Sequence, residues 1–372
     1  MHHFIFPSKN TFVSELTASR NYGGDEILEL RKDYSKYTLK GVTRVFVQFD
    51  LSSLSGSLTS GEIADPKYFL RLYETEVSDL SGKYNLEAYS LSQSWEEGTG
   101  KLFQDPARTD GTSWSHRDKS NTNLSWSLSS ESNNSSGSTT AGQFGGGVYL
   151  TGSGYRASQS FSYESPDVEM NVTDIVNSWL GGSTKINNNG LVLRFSGSQE
   201  TDSTTRGNLK FFSANTHTIY SPRLEVRWDD HVACSGSNTG SLLPLSMSGL
   251  VDNIVHMKNL RDSYRESEKV KFRVASRKQY IDKSFTRTPQ TITGSYIAEG
   301  SGSYSIVDLA TGEAVVPFSP YTSMSCDETS NYFIQWMTGL FPNRMYKVQI
   351  KLNYGDGQEI IHDDGFEFKV RS

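Results

Sequence analysis

Adjacent carboxylates are the first residues in the sequence that could do chemistry. Glu96 and Glu97 follow Trp95 in the segment QSWEEGTG. Glycoside hydrolases use two carboxyl groups about 5–10 Å apart on either side of a sugar. Neighbouring residues of an extended strand point to opposite faces, so this pair is poorly placed to converge on one substrate. We expect Glu96 and Glu97 to have a structural role at a turn, and we predict that the protein is not an enzyme.

Other catalytic and metal-binding patterns in the sequence are incomplete. Serine is abundant, but no G-x-S-x-G nucleophile motif is present. The glycines at 145–147 precede a predicted strand rather than a helix, which disfavours a phosphate-binding loop. Asp229, Asp230, Asp363 and Asp364 could supply oxygen ligands to a cation, but no calcium-loop spacing surrounds them. We predict no cofactor, and the sequence leaves open whether a metal ion is bound.

Four aromatic residues near a polar segment are the candidate contacts with a glycan or a partner. Residues 115–160 are rich in Ser and Gly, which predicts a long exposed insertion into the fold. The aromatic residues around it are Trp114, Trp126, Tyr149 and Tyr155. Their rings could stack on sugar rings and so bind a glycan. The alternative is that they hold the insertion against the rest of the domain or against a neighbouring subunit.

Short β-strands are the elements that must position these residues. Many segments before residue 230 alternate apolar and polar residues between turn-forming Gly, Asn, Asp, Ser or Pro. In GVTRVFVQFDLSSLS, residues 41–55, this alternation predicts a half-buried strand followed by a turn. Residues 167–182 interrupt the strands, because Ile175, Val176 and Trp179 share one face of a predicted short helix.

Composition and spacing predict an all-β protein of two domains. Of 372 residues, 35% are hydrophobic and 12% aromatic. Many short strands with one helix favour β-sandwiches over parallel β/α units. We predict an N-terminal, jelly-roll-like β-sandwich with one short helix at residues 1–230. A linker at 231–267 and a C-terminal immunoglobulin-like β-sandwich at 268–372 follow.

Charge, cysteine content and hydropathy limit which partners and which cellular location we expect for the protein. The formal net charge is -6 without a block of Lys and Arg, so we expect no nucleic-acid binding. The two cysteines, Cys234 and Cys326, are too few for a disulfide framework or a Cys-rich zinc site. We expect no membrane insertion, because no apolar run approaches the length of a span. The first residues do not form a secretory signal, which predicts synthesis in a cytoplasm without a signal peptide.

Residues 1–230 resemble the DNRLRE family of β-sandwiches, which is closely related to family-96 carbohydrate-binding modules. The matching segments are NYGGDEILELRK, TRVFVQFDLSSL, LEAYSLSQSWEEGTG, NVTDIVNSWLGG with NNNGLVLRF, and SPRLEVRW. The motif that names the family is only partly present, with Arg44, Phe49 and Asp50 retained. The resemblance implies that the Arg44 strand is central, that its charged residues form buried or rim ion pairs, and that the module binds carbohydrate.

Residues 306–370, from IVDLATGEAVVPF to GFEFKV, resemble the immunoglobulin-like region of structural proteins from large tailed phages. This resemblance implies a component of the virion neck, tail or capsid surface whose partners are other virion proteins in a symmetric assembly. We therefore predict a structural protein located in the virion and made in the host cytoplasm. The alternative prediction is a carbohydrate-binding module that recognises host surface polysaccharide.

Overall fold

Strands make up most of the regular structure, which confirms the prediction of an all-β protein. The structure is a computed structural model that describes residues 1–35, 38–120, 123–126, 145–163, 165–181, 185–247, 252–280, 285, 288–289, 293–355 and 357–372. The chain divides into two units. The first unit comprises residues 5–62 and 67–226, and the second comprises residues 1–4, 63–66 and 227–372.

Antiparallel strands build the first unit. After β1 (His2–Ile5), of which only Ile5 belongs to this unit, the strands are β2 Pro7–Ser14, β3 Ile27–Ser35, β4 Thr38–Phe49, β5 Lys67–Leu72, β6 Glu74–Ser78, β7 Lys83–Ser90, β8 His116–Asp118, β9 Leu124–Ser125, β10 Arg156–Ser162, β11 Val168–Asn171, β12 Leu191–Phe195, β13 Gly207–Phe212 and β14 Arg223–Arg227. One sheet has the order β10-β7-β12-β4-β3-β13-β6, with β2 also paired to β4. The strands β14-β5-β11 lie in a second sheet.

Strand β4 is central, as the family resemblance implied. It pairs with β12 along one side and with β3 and β2 along the other. The prediction that this strand is half-buried was wrong, because both of its faces are covered. Val45, Val47 and Phe49 are buried on one face, and Arg44 and Phe46 are buried on the other. The alternation of apolar and polar residues therefore predicted the strand correctly. It did not predict that the face carrying Arg44 is also buried.

Three short α-helices occur among the described residues of the first unit. The helix α2, Thr173–Leu180, confirms the predicted one, and Ile175, Val176 and Trp179 are buried as expected. The helix α1, Ser52–Thr59, occupies the hydroxyl-rich segment that was predicted as a turn. Just before this helix, Asp50 Oδ1 accepts a hydrogen bond of 2.9 Å from the N–H of Ser52, the first helical residue. The helix α3, Gly197–Thr201, was not predicted.

The second unit is a pair of sheets around its own apolar core. Its strands are β15 Leu243–Pro244, β16 Asn253–Lys258, β17 Ser263–Arg265, β18 Lys269–Lys278, β19 Ser295–Tyr296, β20 Gly302–Asp308, β21 Ala314–Val316, β22 Ser325–Cys326, β23 Asn331–Trp336, β24 Met345–Asn353, β25 Glu359–His362 and β26 Glu367–Arg371. The sheet orders are β15-β19-β18-β23-β22, with β16 on β18, and β17-β26-β24-β20-β21, with β25 on β24. Tyr304 and Phe333 stack in the core at 3.9 Å between ring centroids. Its likeness to an immunoglobulin domain stays a prediction.

The segment predicted as a linker, residues 231–267, contributes β15, β16 and β17 to these sheets. Val255 and Tyr264 are each only 3% exposed and belong to the core of the second unit. Sparse apolar residues between Ser, Gly and Asn made this segment resemble a linker. Two well-placed side chains are enough to dock short strands once neighbouring strands supply the rest of the core.

The two cysteines form one disulfide within the second unit. Cys234 and Cys326 are 92 residues apart in sequence, yet their Cα atoms lie 5.0 Å apart. Two cysteines cannot build a framework of several bridges, as the sequence indicated, but separation along the chain does not report distance in the fold. Residue 234 is thereby tied covalently to strand β22.

His3 should make the second unit sensitive to acid. Its ring is buried beside Trp336, with 5.0 Å between ring centroids, and burial lowers the pKa of His3 to about 4. The unfolded chain takes up this proton near pH 6.5, whereas the folded unit does not until about pH 4. The free energy of unfolding should therefore fall by about 3 kcal/mol as the pH drops through this window.

The measurement is urea unfolding of the second unit at pH 7 and pH 4.5. His3→Phe removes the titrating group and should flatten the loss. His256→Gln is the control, since His256 is exposed. An acid loss that is the same in His3→Phe as in wild type would contradict the prediction.

Among the described residues, no helix is long and apolar enough to cross a membrane.

Candidate functional site

Three of the four candidate aromatic residues are buried in the first unit. Trp114, Trp126 and Tyr149 are 5%, 4% and 1% exposed, and Tyr155 is half-buried beside strand β10. The Trp126 ring meets Phe46 edge-on at 5.7 Å between centroids. The described parts of the predicted insertion thus cover the outer face of β4, although residues 127–144 lie outside the described residues. That any of the four contacts a glycan or partner stays a prediction.

A buried ion cluster lies under these aromatic rings and explains the charge on strand β4. Arg44 donates from Nε and Nη2 to the two carboxylate oxygens of Glu200, at 3.0 and 2.9 Å. Arg194 donates to the same carboxylate and to the Tyr149 hydroxyl. Burial by itself would lower the pKa of Arg44, but Glu200, together with Tyr149 and Glu15, raises it above its usual value. The cluster is enclosed, so its role is to join β4, β12 and α3 rather than to meet a ligand.

Glu96 and Glu97 are structural, as predicted from their alternation. Glu97 Oε1 accepts hydrogen bonds of 2.8 and 2.9 Å from the backbone and side chain of Asn10. Glu96 instead pairs with the ammonium group of Lys9 at 3.0 Å and is 54% exposed. Burial raises the pKa of Glu97, and the Asn10 hydrogen bonds act against that rise. The two carboxylates serve different neighbours and do not converge on a shared space.

Backbone-to-backbone packing fixes the loop that follows Glu97. The buried Asn21 side chain donates from Nδ2 to the carbonyl oxygens of Glu97 and Thr112, both at 2.7 Å. Its Oδ1 accepts from the N–H groups of Gly23 and Gly100, at 3.0 and 2.8 Å. The motifs NYGG and EGTG are thus two halves of one contact. Glycine is required where the backbones meet, because a Cβ at Gly23 would lie 2.0 Å from the Glu97 carbonyl oxygen.

Substitution of Gly23 should disturb this loop. Gly23→Ala must push the two segments apart, which we expect to cost about 1–3 kcal/mol of unfolding free energy. Gly56→Ala is the matched control. Gly56 lies within α1, its added Cβ would meet nothing within 4 Å, and the change should stabilise the unit by about 0.5–1 kcal/mol. Denaturant unfolding of both variants measures the difference, and equal effects would contradict this account of the loop.

The loop held in this way presents one exposed aromatic side chain, Phe103. Its ring is 94% exposed, whereas Leu102 beside it is half-buried. The Leu102 N–H donates to Asp25 Oδ2 at 2.7 Å, and Arg20 donates to the carbonyl oxygens of Lys101 and Gln104 at 2.8 and 2.9 Å. The backbone on both sides of Phe103 is therefore fixed. The loop therefore holds an apolar ring in water at a fixed position.

Two open clefts adjoin this loop, and Leu102 and Phe103 line both of them. Cleft A has a volume of 520 Å³ and is also lined by Asp25, Glu26, Ile27, Thr99, Lys101 and Gln104. Cleft B has a volume of 430 Å³ and is also lined by Phe12, Ser14, Leu16, Thr17, Tyr22, Glu29, Arg31, Asn208 and Lys210. We call the two clefts and Phe103 together the Phe103 face. Each cleft falls within the usual size range of small-molecule sites, about 300–1,000 Å³.

The sheet supplies a polar wall to cleft B. Asn208 on β13 lies opposite Arg31 on β3, and Lys210 lies opposite Glu29, so the four side chains share one face of the sheet. Arg31 Nε and Asn208 Oδ1 are buried atoms that have no hydrogen-bond partner among the described residues. Gln104 Oε1, from a residue that lines cleft A, is also buried and has no hydrogen-bond partner among the described residues. Buried polar atoms without a protein partner are costly, and because these three atoms have almost no accessible surface, an enclosed water is what would satisfy them.

Charges on the Phe103 face are paired locally. Lys210 lies 2.6 Å from Glu76, Lys101 lies 3.3 Å from Glu26, and Arg31 lies 3.7 Å from Glu29. Each cation therefore has an acidic neighbour within its own side of the face. Within the described part of the chain, no group of three or more His, Cys, Asp or Glu residues could hold a metal ion. What the face offers is an apolar ring, hydrogen-bonding atoms and nearly balanced charge.

Sequence reasoning did not find Phe103. The tryptophans and tyrosines around the Ser-rich segment stand out in the sequence because they are large and flank a polar insertion. Phe103 stands alone in GKLFQDP, among residues that read as an ordinary loop. The usable signal was the glycine content of NYGG and EGTG, which indicates a loop held by close backbone contact, with Leu102 and Phe103 at its tip.

Comparison with known proteins agrees with a binding role for this part of the chain. We found no match among the curated proteins or among the solved structures. Residues 2–127, which include Arg31, the Asn21 contact and Phe103 but not Asn208, match the model of carbohydrate-binding module family 96.

Proposed function

We propose that the first unit binds polysaccharide through the Phe103 face. The observation that carries the proposal is the fixed, 94%-exposed ring of Phe103 between two clefts, inside the segment that matches a carbohydrate-binding family. The proposal is one of binding alone. The matched family consists of binding modules. Glu96 and Glu97, the adjacent carboxylates considered for hydrolysis, do not converge on a shared space.

The chemistry of the face suits a sugar ring. One side of a pyranose is a patch of C–H groups that can lie on an aromatic ring, and its edge carries hydroxyl groups. Phe103 offers the aromatic ring, and Thr17, Thr99 and Lys101 are exposed residues that line the clefts with hydrogen-bonding side chains. Side-chain hydrogen bonds of this kind contribute about 0.5–1.5 kcal/mol each. Together with one aromatic anchor they account for the weak, specific binding expected of such a module.

Removal of the aromatic ring is the direct test. The intact chain is first screened by affinity electrophoresis against soluble polysaccharides, both neutral and acidic, and the strongest binder is titrated by calorimetry. Phe103→Ala should weaken this binding at least about tenfold, since a lost aromatic anchor at an interface costs about 2 kcal/mol or more.

Tyr163→Ala is the matched control. Tyr163 belongs to the same unit, is 86% exposed and lines neither cleft. Its removal should leave the affinity within twofold of wild type. Equal losses in the two variants, or no polysaccharide bound at all, would refute the proposal. Retained binding in Phe103→Ala together with loss in Tyr155→Ala would move the site to the residues named from the sequence.

The virion role stays a prediction. It rests on the resemblance of residues 306–370 to phage structural proteins, and the family match concerns the other end of the chain. A polysaccharide-binding unit is compatible with a particle that meets a host surface. Detection of the protein in purified particles would test the location independently of the binding experiment.

A further inference from the structure

The outer face of one sheet in the second unit collects basic side chains. Strand β18 lies between β16 and β23, and its residues that alternate with the buried Val270, Phe272 and Val274 point away from the core. The basic residues that β16 and β18 place on this outer face are Lys258, Lys269, Lys271, Arg273 and Arg277. We call it the basic face. The acidic residues beside it include Asp327, in the turn before β23, and Asp252, just before β16.

Negative charge compensates only part of the positive charge on the basic face. Asp327 accepts from Lys271 and Arg273 at 2.8 and 2.9 Å. Lys258 and Arg277 donate to backbone carbonyl oxygens, and neither forms an ion pair among the described residues. Arg273 also lies directly opposite Lys258 on the neighbouring strand, and like charges in such positions repel. An anionic partner would relieve this repulsion, although the whole chain has a net charge of -6.

The arrangement of the charges favours a broad anionic surface as the partner. Residues two apart on a strand are separated by about 7 Å, and neighbouring strands by about 5 Å, so these cations can meet one plane of negative charge together. Lys271 lies over the Tyr332 ring, with its ammonium nitrogen 3.5 Å from the centroid. Lys269 lies over the Trp336 ring at 5.4 Å. The lysines occupy the ring faces on which a nucleic-acid base or a sugar would stack.

An exposed aromatic residue follows the central strand of this face. Tyr280 lies just past the end of β18 and is 73% exposed. Tyrosine is favoured at the boundary between a membrane and water, because its ring is apolar and its hydroxyl group is polar. Basic residues near such a side chain add attraction to anionic lipid headgroups. We propose that the basic face binds the surface of an anionic lipid bilayer, with Tyr280 among the headgroups.

Vesicle sedimentation tests this proposal directly. The intact chain is mixed with vesicles of phosphatidylcholine alone or of phosphatidylcholine with phosphatidylglycerol. It should sediment only with the anionic vesicles, and it should be released when the salt is raised from about 0.1 M to about 1 M. Lys258→Gln/Arg277→Gln should weaken the binding at least about tenfold, because two cations near the headgroups are lost. Tyr280→Ala should weaken it about threefold or more.

Lys347→Gln/Lys351→Gln is the matched control. It removes the same charge from β24 in the other sheet, where the two lysines pair with acidic residues at 2.9 and 3.1 Å. Binding should stay within twofold of wild type. Equal losses in the two double variants, or no preference for anionic vesicles, would overturn the proposal. Tighter binding of a DNA duplex or an acidic polysaccharide than of the vesicles would also overturn it. The vesicles carry no polysaccharide, so the result is independent of binding through Phe103.

Discussion

Glu200→Gln should lower the free energy of unfolding of the first unit by about 3–5 kcal/mol, the cost of breaking a buried ion pair from one side. Glu200 is 1% exposed, and its carboxylate accepts from both Arg44 and Arg194. The glutamine keeps the shape but removes the negative charge that both buried guanidinium groups share. Three elements, β4, β12 and α3, lose their common link at once.

Hydrogen exchange read by peptide mass spectrometry at increasing urea measures this loss in each unit separately. Glu76→Gln is the matched control, because Glu76 is 61% exposed and pairs with Lys210 at the surface. An exposed pair of this kind contributes about 0–1 kcal/mol. Should Glu200→Gln cost no more than the control, the two arginines would have to be solvated, and the enclosed cluster would be wrong.

Loss of the Cys234–Cys326 bond should be the second large effect. The bond closes a loop of 92 residues. Cross-links over loops of this size stabilise by about 2–5 kcal/mol, chiefly by restricting the unfolded chain. We expect Cys234→Ser/Cys326→Ser to lower the unfolding free energy of the second unit by this amount and to leave the first unit unchanged.

The reductant provides the internal control for the disulfide. Wild type unfolded in dithiothreitol should match the double variant, and the double variant should not respond to dithiothreitol. Wild type that is indifferent to the reductant would show that the bond does not form or does not stabilise the fold. Such bonds persist outside the reducing cytosol.

Local pattern predicted the elements well but not the partners of their polar residues. Alternation in residues 41–55 located strand β4, and the spacing of Ile175, Val176 and Trp179 located helix α2. The family resemblance implied that Arg44 is paired. Its partner, Glu200, lies 156 residues away on a helix of five residues, and nothing local to either residue indicates the other.

Burial of the candidate aromatic residues is equally a tertiary property. Trp114 and Trp126 flank a Ser-rich run, so the sequence presents them as surface residues. In the fold the Trp126 ring packs on Phe46 and the Trp114 ring on Arg44. The two rings therefore cover the face of β4 that carries these side chains. The sequence is compatible with either role for these rings, and their burial favours packing against the domain. For Phe103, by contrast, no nearby residue in the sequence indicates a special role, and only its 94% exposure in the fold distinguishes it.

Hydroxyl-radical footprinting of the intact chain with its strongest polysaccharide tests the central claim most directly, since it reports which side chains the ligand covers. The account predicts that Phe103 oxidises several times more slowly in the complex, while Tyr163 oxidises at an unchanged rate. Protection of Tyr155 with Phe103 left fully reactive would contradict it.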